Sequence, residues 1–306
     1  MNTSASCYHL PNNKPKTVII TGGANGIGAK TARTYHGHGC NIVIADLPSS
    51  SDAANALITS LTEPSRARYH PTNVTSWHDI KALFRETKKT FGQIDIVVAN
   101  AGTMESKGFF DFEVDENGEL MEATEAGRVI DINLKGAMNT LRMAMHSMKS
   151  NPPDADGARG SIVLIASTSG YFGGTGVVSY ISSKHGVVGL SRASQSVARQ
   201  LGVRVNVVAP FFTPTHITSG YSEKWKESGL PANTTEDVAI AIVSTSVDPA
   251  RQGHSMMVAG NLVREIEEPR TASTKDWLGK EISDIMARGG KFFSDLGGYT
   301  LPQARS

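Results

Sequence analysis

The chain alternates short, continuously apolar runs with longer segments whose apolar residues recur every three or four positions, from about Thr17 to Val258. The apolar runs are rich in β-branched residues and are typical of strands buried on both faces of a parallel sheet. These runs are TVIIT (17–21), NIVIAD (41–46), ARYHPTNV (67–74), IDIVVANAG (94–102), GSIVLIAS (160–167), VRVNVVAP (203–210) and HSMMVAG (254–260). The segments between them, such as SWHDIKALFRETKKTFG and GRVIDINLKGAMNTLRMAMHSMKS, predict amphipathic helices. This alternation predicts an α/β fold, a three-layer doubly wound parallel sheet.

The same pattern predicts one domain over residues 15–263, preceded by a flexible N-terminus (1–14) and followed by a C-terminal extension (264–306). Within the extension, TKDWLGKEISDIMARGG predicts one amphipathic helix that ends near Gly289. A long acidic insert lies between Gly102 and about Arg128, and we expect it to form a helix entry and a partial lid.

Composition narrows the classes of partner. Of the 306 residues 39% are hydrophobic and 19% charged, the net charge is +1, and no basic run provides a footprint for nucleic acid. No stretch of about 18 apolar residues predicts a membrane span, and the N-terminus has no apolar core of a secretory signal. Cys7 and Cys40 form neither a disulfide framework nor a metal motif, and the His36-x-His38 pair has no further ligands. We therefore expect a cytoplasmic protein with no metal, no membrane partner and no nucleic-acid partner.

A glycine-rich turn lies between the first predicted strand and the first predicted helix. In TVIITGGANGIGAKTARTYHGHG the spacing is TGxxxGxG rather than GxGxxG. Small residues let the backbone approach a pyrophosphate, and the helix N-terminus offers free N–H groups and a positive dipole end. The residues that we expect to bind a dinucleotide here are Gly22, Asn25, Gly26, Ile27 and Gly28.

The second predicted strand ends in Asp46. A carboxylate at this place can accept hydrogen bonds from the adenosine ribose and repels a 2′-phosphate, and the residues that follow carry no positive charge. The sequence therefore predicts NAD rather than NADP as the cofactor. Two later strand ends fit the same crevice, namely Asn73–Val74 beside the adenine and Asn100, Ala101 and Gly102 against the cofactor.

The segment SYISSKHG places Tyr180 and Lys184 four residues apart, on one face of a predicted helix. A tyrosine with a pKa near 10 is a poor base at neutral pH, and a useful one needs a drop of roughly three units, about 4 kcal/mol. A lysine ammonium about 4 Å away supplies roughly that energy at an effective dielectric constant near 20. We therefore expect Lys184 and an oxidised coenzyme to lower the pKa of Tyr180. Taken alone, such a pair is common in ordinary helices.

These motifs together resemble the short-chain dehydrogenase/reductase family in its typical single-domain form, over about residues 15–262. They are TGGANGIG, NAG at 100–102, Asn133 in VIDINLKG, Ser167 in GSIVLIAS, Tyr180 with Lys184, and RVNVVAP. The resemblance implies a Rossmann fold that binds NAD and a homodimer or homotetramer paired through the helices of Asn133 and Tyr180.

The resemblance also implies a role for each catalytic residue. Tyr180 would exchange the proton of the substrate oxygen, and Ser167 would hydrogen-bond that oxygen. Tyr180 and Lys184 would also bind the cofactor, Lys184 at the nicotinamide ribose, and Asn133 would hold a water in a proton relay. Pro210, Thr213 and Thr215 would lie beside the nicotinamide.

The sequence departs from the family where Phe211 and Phe212 follow Pro210 in place of a glycine. These rings are either core aromatics or a wall of the substrate pocket, and we name Phe211, Phe212, Tyr171 and His216 as candidate substrate contacts. The surrounding segments are rich in Phe, Tyr, Gly and Thr and carry little positive charge. They favour an uncharged secondary alcohol or ketone, such as a terpenoid, steroid-like or polyketide ring, over an acyl thioester.

Two alternatives remain open at this stage. The same fold can run a non-redox isomerisation or cyclisation, and the aromatic pair and the extension are compatible with that. A non-catalytic regulator that senses NAD is the other, although such a protein has no need of both Tyr180 and Lys184.

Overall fold

The computed structural model describes residues 14–174 and 176–304. Residues 1–13, and with them Cys7 and nearly all of the predicted flexible N-terminus, lie outside the described residues. The chain divides into two compact units, of which one ends at Arg264 and the other begins at Glu265. Among the described residues, no helix combines the length and apolar character that crossing a membrane would require.

The larger unit is built on one eight-stranded sheet in the order β3-β2-β1-β4-β5-β6-β7-β8. The first seven strands are parallel. Only Gly260 and Asn261 separate β7 from β8, a link too short for a parallel crossover, so β8 runs antiparallel. The strands are β1 Thr17–Thr21, β2 Asn41–Asp46, β3 Ala67–Pro71, β4 Ile96–Ala99, β5 Gly160–Ile165, β6 Val203–Pro210, β7 Ser255–Ala259 and β8 Leu262–Glu265.

Helices cover both faces of this sheet. Successive residues of β1 point into opposite layers. Val18 and Ile20 pack in one apolar core with Ile242 of helix α8 (Thr235–Val247), and Ile19 packs in the other with Leu83 of helix α3 (Trp77–Phe91). The helices of this unit are α1 Gly26–Gly37, α2 Ser51–Thr59, α3 Trp77–Phe91, α4 Thr124–Ile130, α5 Gly136–Met148, α6 Val178–Leu201, α7 Ser222–Glu227 and α8 Thr235–Val247. The predicted three-layer doubly wound sheet is confirmed.

Several element boundaries differ from the prediction. The strands β3 and β4 end at Pro71 and Ala99 rather than at 74 and 102, because the chain leaves the sheet there to line a cleft. The long helix predicted around Asn133 is divided, since the π-helical segment Asp131–Lys135 separates α4 from α5. In the extension, the single helix predicted to end near Gly289 is wrong. Gly279, at φ 75°, separates α10 from α11, and α11 continues to Asp295.

The smaller unit contains three helices: α9 Glu267–Ala272, α10 Thr274–Leu278 and α11 Lys280–Asp295. The acidic insert is mostly irregular, with one antiparallel bridge between Val114 and Leu120, and α4 begins only after it, at Thr124. Phe110 and Phe112 of the insert are exposed. Its role as a partial lid stays a prediction.

Candidate active site

A cleft of about 1340 Å³ opens at the carboxyl ends of the parallel strands. Here β1 has β2 on one side and β4 on the other, so the chain connections diverge and leave a crevice, the usual place for ligands in open α/β sheets. The sequence-predicted residues that line it are Gly22, Asn25, Gly26, Ile27, Asp46, Asn73, Val74, Asn100, Ala101, Gly102, Ser167, Tyr180, Lys184, Pro210, Phe211, Phe212, Thr213, Thr215 and His216. Gly28, Asn133 and Tyr171 are not among the lining residues.

Two glycines of the turn, Gly22 and Gly28, leave no room for a side chain. Gly22 and Gly26 have φ of 63° and 52°, in the left-handed region that favours glycine. A Cβ on Gly22 would stand 2.8 Å from Cα of Ala101, and one on Gly28 would stand 2.1 Å from the carbonyl oxygen of Gly22. Gly28 therefore allows α1 to start directly against the turn, which explains why it matters without lining the cleft.

The N-terminus of α1 faces the cleft without a side-chain cap. Asn25 occupies the N-cap position with no side-chain hydrogen bond, and the first turn carries no acidic residue. Its first N–H groups thus keep their positive partial charge for an anion. Together with the crowded glycines and the volume of the cleft, this arrangement fits the pyrophosphate of a dinucleotide.

Asp46 stands at the carboxyl end of β2, on the rim of the cleft. Its Oδ2 accepts from the N–H of Ala24 at 3.0 Å and its Oδ1 accepts from the N–H of Leu47 at 2.8 Å. These bonds fix the carboxylate beside the glycine turn. Both oxygens retain lone pairs that can accept from ribose hydroxyls.

Asn100 lines the cleft and also connects the ends of two neighbouring strands through its hydrogen bonds. Its Nδ2 donates to the carbonyl oxygens of Thr21 and Gly22, both at 3.0 Å, and its N–H donates to Oγ1 of Thr21 at 3.0 Å. Thr21, which the sequence analysis missed, thus joins the end of β1 to the end of β4. The available signal was a hydroxyl that directly follows the three apolar residues at the centre of β1.

Ser167, Tyr180 and Lys184 meet at the other end of the cleft. Ser167 follows β5, and its hydroxyl is near enough to Tyr180 to lower the pKa of the phenol. The buried ammonium of Lys184 lies 5.5 Å from the centre of the Tyr180 ring and donates to the carbonyl of Ile165 at 2.9 Å. These contacts bring together a hydroxyl, a phenol and an amine.

Without a coenzyme, the pKa of Tyr180 is raised, whereas a lowered pKa was expected from Lys184 and an oxidised coenzyme together. Burial raises the pKa of Tyr180, the hydrogen bond from Ser167 lowers it, and Tyr221 and Glu105 raise it further, with a net upward shift. Burial also lowers the pKa of Lys184 from 10.5 to about 8. Burial, which the sequence does not reveal, is the largest cause of both pKa shifts.

Asn133 lies in the π-helical segment and is buried beneath the cleft. Its Oδ1 accepts from the N–H of Thr103 at 2.8 Å, and its Nδ2 donates to the carbonyl of Thr103 at 2.8 Å and to Oγ of Ser183 at 2.9 Å. The amide thus joins the chain after β4 to α6. Its predicted role in holding a water stays a prediction.

Aromatic side chains form one wall of the cleft. Phe212 stacks on Trp225 with ring centres 4.2 Å apart, and Phe211 meets Trp225 edge-on at 5.5 Å. Tyr221 lies 5.6 Å from Phe212 and also lines the cleft. Trp225 and Tyr221 were missed individually, although Tyr221 is the N-cap residue of the short helix α7 and Trp225 follows it by four positions.

Tyr171, a predicted substrate contact, lies outside the cleft. Its hydroxyl donates to Oγ of Ser255 at 2.6 Å, and its ring packs against the guanidinium of Arg192 at 5.7 Å. Its neighbours in the sequence, Thr168 and Ser169, line the cleft instead.

Comparison with known proteins assigns a family to this arrangement. The short-chain dehydrogenase/reductase prx4 of Penicillium roqueforti is 29% identical to this chain over 299 residues. The match covers 90% of this chain and 84% of that protein. Human 3-hydroxyacyl-CoA dehydrogenase type-2 is 31% identical over 221 residues, and the match covers 72% of this chain and 81% of the human protein. The crystal structure of 3-hydroxyacyl-CoA dehydrogenase type-2 from Mycobacterium avium matches with a TM-score of 0.69 at 29% identity, covering 79% of this chain and 94% of that one. The family model described as short chain dehydrogenase matches residues 16–226, and the chain therefore belongs to the short-chain dehydrogenase/reductase family, whose members are oxidoreductases that bind a nicotinamide cofactor.

Proposed function

We propose that this oxidoreductase uses NAD to interconvert a secondary alcohol and a ketone on a mostly apolar, ring-containing substrate. The observation that supports it most is the shared cleft, in which a glycine turn and Asp46 stand at one end and Ser167, Tyr180 and Lys184 at the other. A cytoplasmic location stays a prediction.

The choice of NAD rests on charge. Asp46 presents a carboxylate on the rim, and none of the residues that line the cleft next to it (Leu47, Thr72 and Asn73) carries a positive charge to accept a 2′-phosphate. Bound in this cleft, the nicotinamide would supply the acceptor or donor of a hydride. The glycine turn, the N-terminus of α1 and the residues after β6 would hold the cofactor.

The chain's own groups move the proton. Tyr180 would take the proton from the alcohol oxygen during oxidation and return it during reduction, with Ser167 hydrogen-bonded to the same oxygen. Lys184, with a pKa lowered to about 8, exchanges a proton readily near neutral pH and so can pass on the proton that Tyr180 takes. Asn133 would act through Thr103 and Ser183, by fixing the segment that borders the lysine.

The aromatic wall sets the expected substrate class. Phe211, Phe212, Tyr221 and Trp225 offer apolar ring faces and edges to a bound molecule. Such rings bind flat apolar groups through burial and edge-to-face contacts. Cyclic terpenoid, steroid-like or polyketide alcohols are the class that fits.

A screen of cyclic secondary alcohols with NAD, followed by NADH absorbance, tests the proposal. We expect turnover in the wild type and a loss of at least about 10³-fold in Tyr180→Phe, with NAD binding retained. Full activity in Tyr180→Phe contradicts the assigned chemistry. A product of unchanged redox state would instead support an isomerase, and NAD binding without any turnover would support a sensor.

Acyl thioesters are a second substrate class, because two of the proteins compared above are named 3-hydroxyacyl-CoA dehydrogenases. Among the residues lining this cleft the basic side chains are Arg128, Lys184 and His216. Of these, Lys184 is buried at the reacting end, which leaves little positive charge for a CoA phosphate. A higher kcat/KM for 3-hydroxyacyl-CoA than for the best cyclic alcohol would replace our substrate class.

We also propose a homodimer or homotetramer paired through α5 and α6. Met138 on α5 and Val197 on α6 are each 49% exposed, as expected for apolar residues that a second copy covers. Light scattering of the wild type, and of a variant with Met138→Glu and Val197→Glu, tests this. A monomeric wild type contradicts the proposal.

A further inference from the structure

The helix that carries Tyr180 begins without a cap of its own. Val177 occupies the N-cap position of α6 and has no side-chain oxygen, and the first turn contains no acidic residue. A helix start leaves unpaired N–H groups that a polar side chain normally accepts from, usually at the second and third positions. In α6 these positions are Ser179 and Tyr180.

Glu105, which is distant in the sequence, accepts hydrogen bonds from these two N–H groups. Glu105 lies in the segment that follows β4, and its two carboxylate oxygens accept from the N–H of Ser179 at 2.9 Å and from the N–H of Tyr180 at 3.1 Å. One of the two capped groups thus belongs to the backbone of the predicted catalytic tyrosine itself.

Glu105 is held in place by its neighbours on both sides. Two residues before it, Thr103 is bound through its backbone N–H and carbonyl by the amide of Asn133. Just after it, the carboxylate of Glu125 accepts from the N–H groups of Ser106 and Lys107 at 3.1 and 3.0 Å. The carboxylate of Glu105 therefore reaches α6 from a fixed segment rather than from a mobile loop.

We propose that Glu105 is a positioning residue for Tyr180, which fixes the start of α6 and places a negative charge against the backbone of Tyr180. This inference rests on the proposed role of Tyr180 in proton transfer. Glu105 itself touches neither substrate nor cofactor in this scheme.

The titratable groups that face Tyr180 come from three elements. They are Lys184 on α6, Glu105 after β4 and Tyr221 before α7, and His216 lines the same cleft. Burial raises the pKa of Tyr221, so this side chain is uncharged at neutral pH. Glu105 is then the anion that opposes ionisation of Tyr180.

Replacing Glu105 by glutamine removes the charge and keeps a side chain of the same length. We expect the pKa of Tyr180 to fall, because a nearby anion no longer opposes the phenolate. The pH at which alcohol oxidation reaches half of its maximum should fall by the same amount. A residue that merely stabilised the fold would lower the Tm and leave both midpoints where they are.

The titration of Tyr180 can be measured without a substrate. The tyrosinate absorbance of the wild type minus that of Tyr180→Phe isolates Tyr180, and the same difference is taken in the Glu105→Gln background. Glu116→Gln is the matched control, because Glu116 is an exposed glutamate of the same insert that does not line the cleft. This control should leave the midpoint of Tyr180 and the activity unchanged.

Each outcome bears on one proposal. An unchanged midpoint in Glu105→Gln overturns the role of Glu105, whereas turnover that survives in Tyr180→Phe overturns the proposed function. If Glu105→Gln fails to fold, Val177→Ser is added to give α6 a neutral cap of its own. The titration is then repeated on the folded double variant, with the same downward shift expected and the same result overturning the role.

Discussion

Lys184 holds its ammonium 5.5 Å from the centre of the Tyr180 ring, one helical turn further along α6. The amine is bonded to the carbonyl of Ile165 and is almost completely buried. Keeping an amine charged in a buried site costs free energy because the charge loses its hydration. Burial therefore lowers the pKa of Lys184 to about 8. The arrangement predicts a specific dependence of stability on pH.

Lys184→Met should stabilise the fold most at neutral pH and progressively less in alkali. Between pH 8 and 10.5 the unfolded chain keeps the proton of Lys184 while the folded protein has lost it, so the stability of the wild type rises with pH. The stability advantage of Lys184→Met should therefore shrink by about 3 kcal/mol over this interval. Urea unfolding at pH 7 and pH 10 measures it.

The exposed Lys88 on α3 provides the control. Lys88→Met removes the same charge without relieving burial, so its effect on the free energy of unfolding should change little between the two pH values. An equally flat response in Lys184→Met would show that the ammonium of Lys184 bears no desolvation cost.

Asp46→Asn should weaken the preference for NAD over NADP. The asparagine can still accept from the N–H of Ala24 but no longer repels a 2′-phosphate. We expect the ratio of the two dissociation constants, measured by fluorescence titration, to move toward NADP by about tenfold, the equivalent of about 1.4 kcal/mol. Asp52→Asn, an exposed residue of α2 that does not line the cleft, makes the same change of charge and should leave the ratio unaltered. Equal ratios in the two variants would refute the role given to Asp46.

Gly28→Ala and Gly37→Ala separate a required glycine from a tolerated one on the same helix. A Cβ on Gly28 would overlap the carbonyl oxygen of Gly22 at 2.1 Å, whereas nothing lies within 4 Å of a Cβ on Gly37. Gly28→Ala should cost about 1–3 kcal/mol of stability and weaken NAD binding. Gly37→Ala should be neutral or stabilise by up to about 1 kcal/mol. Thermal unfolding and NAD titration of both variants measure these effects, and wild-type values for Gly28→Ala would disprove the close packing.

The parts of the site that the sequence predicts well are those whose signal is local. Asp46 ends an apolar strand, and Gly22 and Gly26 lie between a strand and a helix, so position in the chain alone indicates where they stand. Tyr180 and Lys184 likewise need only the period of a helix to share a face.

The parts that were missed depend on contacts between distant residues. Glu105 caps a helix that begins more than seventy positions later, and no pattern within its own segment indicates this. The upward pKa shift of Tyr180 follows from burial, which depends on everything packed around the ring. Tyr171 sits in a segment that borders the cleft, and only the folded chain shows that its hydroxyl is bonded to Ser255.

Phe211→Ala should impair turnover of large apolar rings more than turnover of small alcohols. Phe211 is 44% exposed where it lines the cleft and rests edge-on against Trp225, so its ring is available to cover a bound molecule. Losing that cover should reduce kcat/KM for a cyclic alcohol by at least about tenfold, which corresponds to the 1.5–3 kcal/mol of a buried phenylalanine side chain. A short secondary alcohol that does not reach Phe211 should be affected much less.

Phe172→Ala is the matched control, because Phe172 is 66% exposed and does not line the cleft. Its steady-state constants should equal those of the wild type for both alcohols. If Phe211→Ala lowers kcat/KM equally for the short and the cyclic alcohol, the ring acts on the cofactor end of the cleft rather than on the substrate. In that case the aromatic wall does not select the substrate, and the preference for apolar rings must be withdrawn.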